Sequence, residues 1–194
     1  MIEVSDPLFT KNISTLKETS VDTHEADHPQ YMTMSQTSVI NFDNVKNDYI
    51  KNLGLSDVPK SNDALYIDDE NIIFIEFKNG YIDNEKQFAL RKKIYDSVLI
   101  FTDIAGFGIS KMRSTVDYIL VINETHNTAE ATKIKNYGQP SESFNKFAEM
   151  TGKLANEKYI PYRLQIFKNY CFRNVDVLTK SDFEVYLNNG FKHR

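Results

Sequence analysis

Two short apolar runs, Ala64 to Ile67 and Ile72 to Phe77, are rich in β-branched and aromatic residues and flank the polar stretch Asp68-Asp69-Glu70-Asn71. That arrangement predicts a tight hairpin. A loop of Asp69-Glu70 alone and one of Asp68 to Asn71 give the same register. On one face it pairs Ile67 with Ile72, Leu65 with Phe74 and Asp63 with Glu76; on the other it pairs Tyr66 with Ile73 and Ala64 with Ile75. Both faces are apolar, so the hairpin is expected inside a sheet covered on both sides. From Asn84 to Thr102 the apolar period becomes that of a helix. Leu90, Ile94, Val98 and Phe101 on one flank and Phe88, Tyr95 and Leu99 on the other predict a wide buried arc with Gln87 and Arg91 at its middle. Lys86, Lys92 and Lys93 fall outside that arc and are expected in solvent.

The rest of the chain is less sharply patterned. Residues 1 to about 35 form a polar N-terminal extension, in which Leu8, Phe9, Ile13 and Leu16 fit one short helix and Thr19 to Gln30 reads as a loop. A first core helix is expected from Asn41, with Phe42, Val45, Tyr49 and Leu53 on one face and Gly54 as its stop. No clear strand precedes Asp63. Ala105-Gly106-Phe107-Gly108 reads as a helix exit, Tyr118 to Ile122 as a strand reached by a crossover, and 123–141 as a surface excursion. Glu142 to Glu157 predicts a helix through Phe144, Phe147, Met150 and Leu154. After Pro161, Arg163 to Phe172 is expected as a strand and Val175 to Leu178 as extended chain, with Thr179 and Ser181 capping a last helix, Phe183 to Leu187. The fold class that follows is α/β: one domain with a central mixed β-sheet flanked by helices, a core over about 40–125 and extra C-terminal elements over 126–194.

The chemistry lies at the open end of the hairpin. Asp63 opposite Glu76 places like charges about 5 Å apart at Cβ, so something positive is required between them. Lys78 shares the face of Glu76, one step along the strand. Two carboxylates and an amine suit a hard divalent cation with a water, because Mg²⁺ takes one or two carboxylates and keeps places for water and phosphate. Gln87 and Arg91, polar on an inward face, need partners and are read as orienting or phosphate-contacting groups.

At these residues the chain resembles the PD-(D/E)XK nuclease superfamily, the restriction-endonuclease-like fold: an Asp on one strand (Asp63), Glu-x-Lys near the end of the next (Glu76-Phe77-Lys78), then a helix. The resemblance spans roughly residues 40 to 125, with Asn62 in place of the family's Pro and no evident acid from the first helix. It implies a Mg²⁺- or Mn²⁺-dependent nuclease in which Asp63 and Glu76 bind the metal and Lys78 serves the hydrolytic water. It also implies a nucleic acid partner, DNA or RNA, a possible homodimer, and a stand-alone enzyme of a bacterial or phage system such as defence. Glu18, His24, Glu25, Asp27, His28, Asp43 and Asp48 are further acids and histidines that an additional ligand could come from. Three alternatives stand beside this reading: Glu76 and Lys78 as an exposed surface ion pair, an unrelated α/β fold, and a non-catalytic binding or partner-interaction module with its acids closed by Lys78 and Arg91.

Composition narrows the choice. The chain of 194 residues is 41% hydrophobic, enough for one core, and its net charge of −4 is not what a broad nucleic-acid-coating surface would give. Any contact with phosphate must be local and partly metal-mediated. The single cysteine, Cys171, excludes an internal disulfide and reads as a core residue. No apolar run approaches the roughly 20 residues of a membrane span and no secretory leader is visible, so no membrane partner and a cytoplasmic location are expected.

Overall fold

The computed structural model describes residues 6–22, 29–51, 53–136 and 159–191. The hairpin forms as its pattern dictates, with β5 (Ala64–Ile67) and β6 (Ile72–Lys78) antiparallel in the register Ala64↔Ile75, Leu65↔Phe74, Tyr66↔Ile73 and Ile67↔Ile72. Asp68 makes the turn: its Oδ1 accepts the N–H groups of Glu70 and Asn71 at 2.8 and 2.6 Å.

Around the hairpin a mixed sheet of six strands is built in the order β1-β4-β5-β6-β7-β8. β1 (Ile13–Thr15) and β4 (Ser38–Asn41) complete the antiparallel half; β7 (Val116–Ile122) and β8 (Asn174–Thr179) run parallel to β6. β2 (Val21–Asp22) and β3 (Gln30–Tyr31) form a separate small ribbon. The sheet thus reaches beyond the 40–125 core in both directions, because the N-terminal segment adds one edge and the C-terminal segment the other. The parallel pairing of β6 with β7 requires a crossover. α4 (Asn84–Ala105) and α5 (Ile109–Thr115) supply it, joined through Gly106 at φ 65°, a left-handed cap that glycine adopts without strain.

Helices cover both faces. α1 (Pro7–Thr10), α3 (Phe42–Ile50), α4 and α5 lie over a core that includes Leu65, Phe74, Leu90, Ile94, Phe101 and Tyr118. α2 (Leu16–Thr19) and α7 (Lys180–Asn188) lie over the other core, with Ile73, Ile75, Phe77, Ile119, Val121 and Phe183. α6 (Thr128–Asn136) stands at the C-terminal end of β7. Every residue of β7 is buried, as a strand covered twice must be.

Several expectations are corrected. Arg163 to Phe172 is not a strand but a 3₁₀ turn, Leu164–Phe167, followed by a turn closed by an isolated bridge between Lys168 and Phe172. α3 ends at Ile50, leaving Leu53 exposed. A short strand, β4, does precede Asp63; it runs directly into Asn41, the cap of α3, and so reads as helix lead-in. The expected helix 142–157 and the residues His24, Glu25, Asp27 and His28 lie outside the described residues.

The buried stripe of α4 is the most consequential correction. Leu90, Ile94, Ser97, Val98, Ile100 and Phe101 are buried, whereas Phe88, Tyr95 and Leu99 are 68%, 42% and 68% exposed. Counting those three large side chains as core turned the expected arc about a quarter turn away from the real one. On the true stripe, Leu90, Lys93 and Ser97 follow one another at helical spacing, while Lys86, one turn earlier, is exposed as expected. Lys93 therefore points into the protein.

Candidate functional site

Asp63 and Glu76 meet beneath α4. The backbone leading into Asp63 is pinned first: Asn62 N–H donates to Ser97 Oγ at 2.8 Å, and Phe42 N–H donates to the Asp63 carbonyl at 3.1 Å. The Asp63 carboxylate accepts the Phe77 N–H on Oδ2 at 2.7 Å, which ties it to the strand carrying Glu76 and Lys78. Glu76 is 0% exposed.

The positive charge demanded by this pair comes from two lysines. Lys78 Nζ donates to Glu76 Oε1 at 2.7 Å, and Lys93 Nζ bridges Glu76 Oε1 at 2.7 Å and Asp63 Oδ1 at 2.9 Å. Two acids and two lysines make a formally neutral quartet. Burial, reinforced by the Glu76 charge, pushes the Asp63 carboxyl up to about 6 against the pull of Lys93 and Lys78. Burial works to raise Glu76 as well, but Lys93 and Lys78 outweigh it and hold that carboxyl below its ordinary range. Burial alone would depress Lys93; the two carboxylates reverse this and keep it firmly protonated.

One oxygen of the quartet, Glu76 Oε2, is buried without a hydrogen-bond partner among the described residues. The Tyr118 hydroxyl and the Asn62 side-chain amide share that condition. Burial and then the charges of Glu76 and Asp63 raise the Tyr118 hydroxyl well above its usual range, which places it within the field of the pair. Unpartnered buried polar atoms are costly and mark places for water or an ion. The residues therefore fit a small, hard, hydrated cation: two carboxylates, one with an open oxygen. Among the described residues no cluster of three or more His, Cys, Asp or Glu has metal-ligand geometry, so such an ion would complete its shell with water or phosphate.

Asp63 and Lys78 open onto a cleft of about 850 Å³ whose wall also includes Glu18, Asp43, Lys86 and His126. Glu18 is engaged with Ser14 and Thr15 in the cap of α2, and Asp43 accepts from Ser61 Oγ. Asp48 is held by Lys11 and Asn12 and does not line the cleft. His126 Nδ1 donates to the Asn79 carbonyl at 2.6 Å. Asn79 itself is braced by Asp22, Gln30 and Asn123.

Gln87 and Arg91 are not brought to the acids. Gln87 lines a neighbouring cavity, and Arg91 Nε donates to the Gln87 carbonyl of its own helix at 3.4 Å. Lys93 and His126 are the additions that sequence reasoning missed. Charge balance was the available signal for Lys93, since two opposed buried acids need more than Lys78. His126 had none, being placed by the loop after β7. The burial of Glu76 also removes the surface ion-pair alternative.

No protein-family model, no curated protein and no solved structure matches this chain. No helix among the described residues is long and apolar enough to cross a membrane.

Proposed function

We propose that the protein is a metal-dependent nuclease hydrolysing phosphodiester bonds of DNA or RNA, with Asp63 and Glu76 holding Mg²⁺ or Mn²⁺. The observation that carries this reading is the convergence of the buried Glu76 carboxylate, the partly buried Asp63 carboxylate and the Lys78 ammonium at the end of β6, beside a cleft of about 850 Å³, with one Glu76 oxygen unpartnered among the described residues. A divalent cation there would supply Lewis acidity and neutralise charge on the phosphate. The chain's own groups do the rest. Asp63, oriented by the Phe77 amide, and Glu76 present oxygens of fixed direction. Lys78, partly exposed at the cleft, orients the attacking water and assists its deprotonation. Lys86 adds positive charge on the wall for a phosphate backbone, which suits local contact by an acidic protein.

A second reading has its own observation. Because Lys93 bridges both acids, the quartet is already neutral, and the same fold could serve as a non-catalytic binding or partner-interaction module. The two readings differ in whether a divalent cation can take the oxygens from Lys93. Wild type and Lys78→Met, incubated in Mn²⁺ with single- and double-stranded DNA and RNA, separate them. The nuclease reading expects cleavage by the wild type and a loss of about 100-fold or more in Lys78→Met, with Mn²⁺ binding retained. Cleavage of none of these substrates would support the module instead, and cleavage unaffected by Lys78→Met would overturn the role given to Lys78.

A further inference from the structure

A second cavity, of about 420 Å³, lies back to back with the cleft. Three stretches of chain are shared between them. Asn79 and Gly80 line the cleft while Tyr81 and Ile82 line the cavity; Lys86 belongs to the first and Gln87 to the second; His126 to the first and Asn127 to the second. A single layer of chain thus separates the cleft at Asp63 and Lys78 from a pocket whose size suits a small planar ligand.

The pocket's construction is aromatic and held in place. Tyr81 is 64% exposed, yet its backbone is braced on both sides. Buried Asn127 donates Nδ2 to the Gly80 carbonyl at 3.2 Å and accepts the Ile82 N–H on Oδ1 at 3.1 Å, and Lys86 Nζ donates to the Tyr81 carbonyl at 2.8 Å. An exposed ring on a pinned backbone is a ready stacking platform. Tyr159 and Tyr162 add two more rings, the Tyr162 hydroxyl donating to the same Asn127 Oδ1 at 3.3 Å. Tyr162 and Arg163 both take left-handed backbone angles, φ 60° and 59°, strain that persists only where the surroundings enforce it and that concentrates at ligand sites.

Two polar groups remain unengaged. The Gln87 side-chain amide and the exposed Arg163 guanidinium, both lining the pocket, have no hydrogen-bond partner among the described residues. An amide offers the donor and acceptor that a base edge presents in complement, and a guanidinium suits a phosphate.

We propose that this cavity receives an unpaired nucleobase of a single-stranded nucleic acid whose backbone crosses the Gly80–Tyr81 rim into the cleft. The proposal rests on the nuclease reading for the strand's path and names its substrate class: single-stranded DNA or RNA. Tyr81 supplies the stacking face and Gln87 the edge contact. A base within an intact duplex cannot enter without first being unstacked and unpaired.

The test is binding in EDTA, followed by fluorescence anisotropy. Its probes are short fluorescein-labelled single strands of DNA and RNA and their duplexes, with nucleoside 5′-monophosphates as competitors. Wild type, Tyr81→Ala, Tyr81→Phe and Gln87→Ala are compared; Tyr81 is exposed, so its variants keep the fold. The expected result is single strand bound at least about tenfold more tightly than duplex. Tyr81→Ala should weaken the strand by about 5- to 150-fold while Tyr81→Phe stays near wild type, because the ring face is kept. Gln87→Ala should weaken it less, and the monophosphates should compete poorly. Duplex bound as tightly as single strand, Tyr81→Ala without effect, or monophosphates competing as well as the strand would overturn the proposal. Mn²⁺ calorimetry on the same proteins keeps the two claims apart. Tyr81-dependent strand binding without Mn²⁺ binding upholds the pocket and removes the nuclease; Mn²⁺ binding with Tyr81-independent strand binding does the reverse.

Discussion

Replacing Lys93 by methionine removes the ammonium that bridges Asp63 and buried Glu76 while keeping most of the side chain's bulk. Breaking a buried ion network by deleting one partner costs about 3–5 kcal/mol. A bound on the electrostatic part comes from Asp63, which can escape by taking up a proton. Holding a carboxyl of ordinary value 3.8 protonated at pH 7 costs about 4 kcal/mol, at about 1.4 kcal/mol per unit. The two figures agree in size. For a chain of this length, about 3–5 kcal/mol lowers Tm by roughly 6–20 °C. The assay is thermal unfolding in EDTA and again in Mn²⁺, beside Lys92→Met, whose exposed i,i+4 pair with Asp96 contributes under about 1 kcal/mol. If a divalent cation and the Lys93 ammonium compete for the same oxygens, Mn²⁺ raises the Tm of Lys93→Met by more than that of the wild type. A Lys93→Met protein as stable in EDTA as Lys92→Met would refute the quartet. A Lys93→Met protein that Mn²⁺ stabilises no more than wild type would refute the competition.

Two further outcomes follow from the same geometry. The folded state binds a proton at Asp63 more tightly than the unfolded chain does, since that carboxyl moves from 3.8 up to about 6. Its contribution to stability therefore falls as pH rises through that window, and urea unfolding of Asp63→Asn should lose this component of the slope; an unchanged slope would place the proton elsewhere. The Tyr118 hydroxyl is buried without a partner among the described residues, so Tyr118→Phe should leave stability unchanged or raise it by about 1 kcal/mol. A loss of that size in chemical denaturation would mean that the hydroxyl is satisfied in solution, by a water or by the acids.

The pairing of the hairpin was legible because independent constraints agree on it: two apolar runs, a polar turn within Asp68 to Asn71, and a face count that carries Asp63 opposite Glu76; only the end of β6 differs, at Lys78 rather than Phe77. β7 and the Thr179 cap were legible for similar reasons, a continuous apolar run in one case and a hydroxyl before an acidic first turn in the other. Lys93 was hidden by a specific ambiguity. α4 carries apolar side chains most of the way round, so size alone does not say which arc faces the sheet, and exposed Phe88, Tyr95 and Leu99 weigh as much in a periodicity as buried Leu90, Ile94 and Phe101. β1 and β4 are too short to show a period of two before helix signals begin. The cavity beside the cleft depends on left-handed Tyr162 and Arg163, a conformation that neither residue type announces.

The most direct test of the central claim is calorimetric titration of Mn²⁺ into the wild type and Glu76→Gln. That substitution keeps the buried volume and removes the charge around which the site is assembled. The account predicts heat of binding in the wild type, and in Glu76→Gln a loss of affinity of at least about tenfold with the fold intact by circular dichroism. Millimolar Mn²⁺ without heat in the wild type, or equal binding by both proteins, would contradict it and leave Asp63, Glu76, Lys78 and Lys93 as a closed internal ion network.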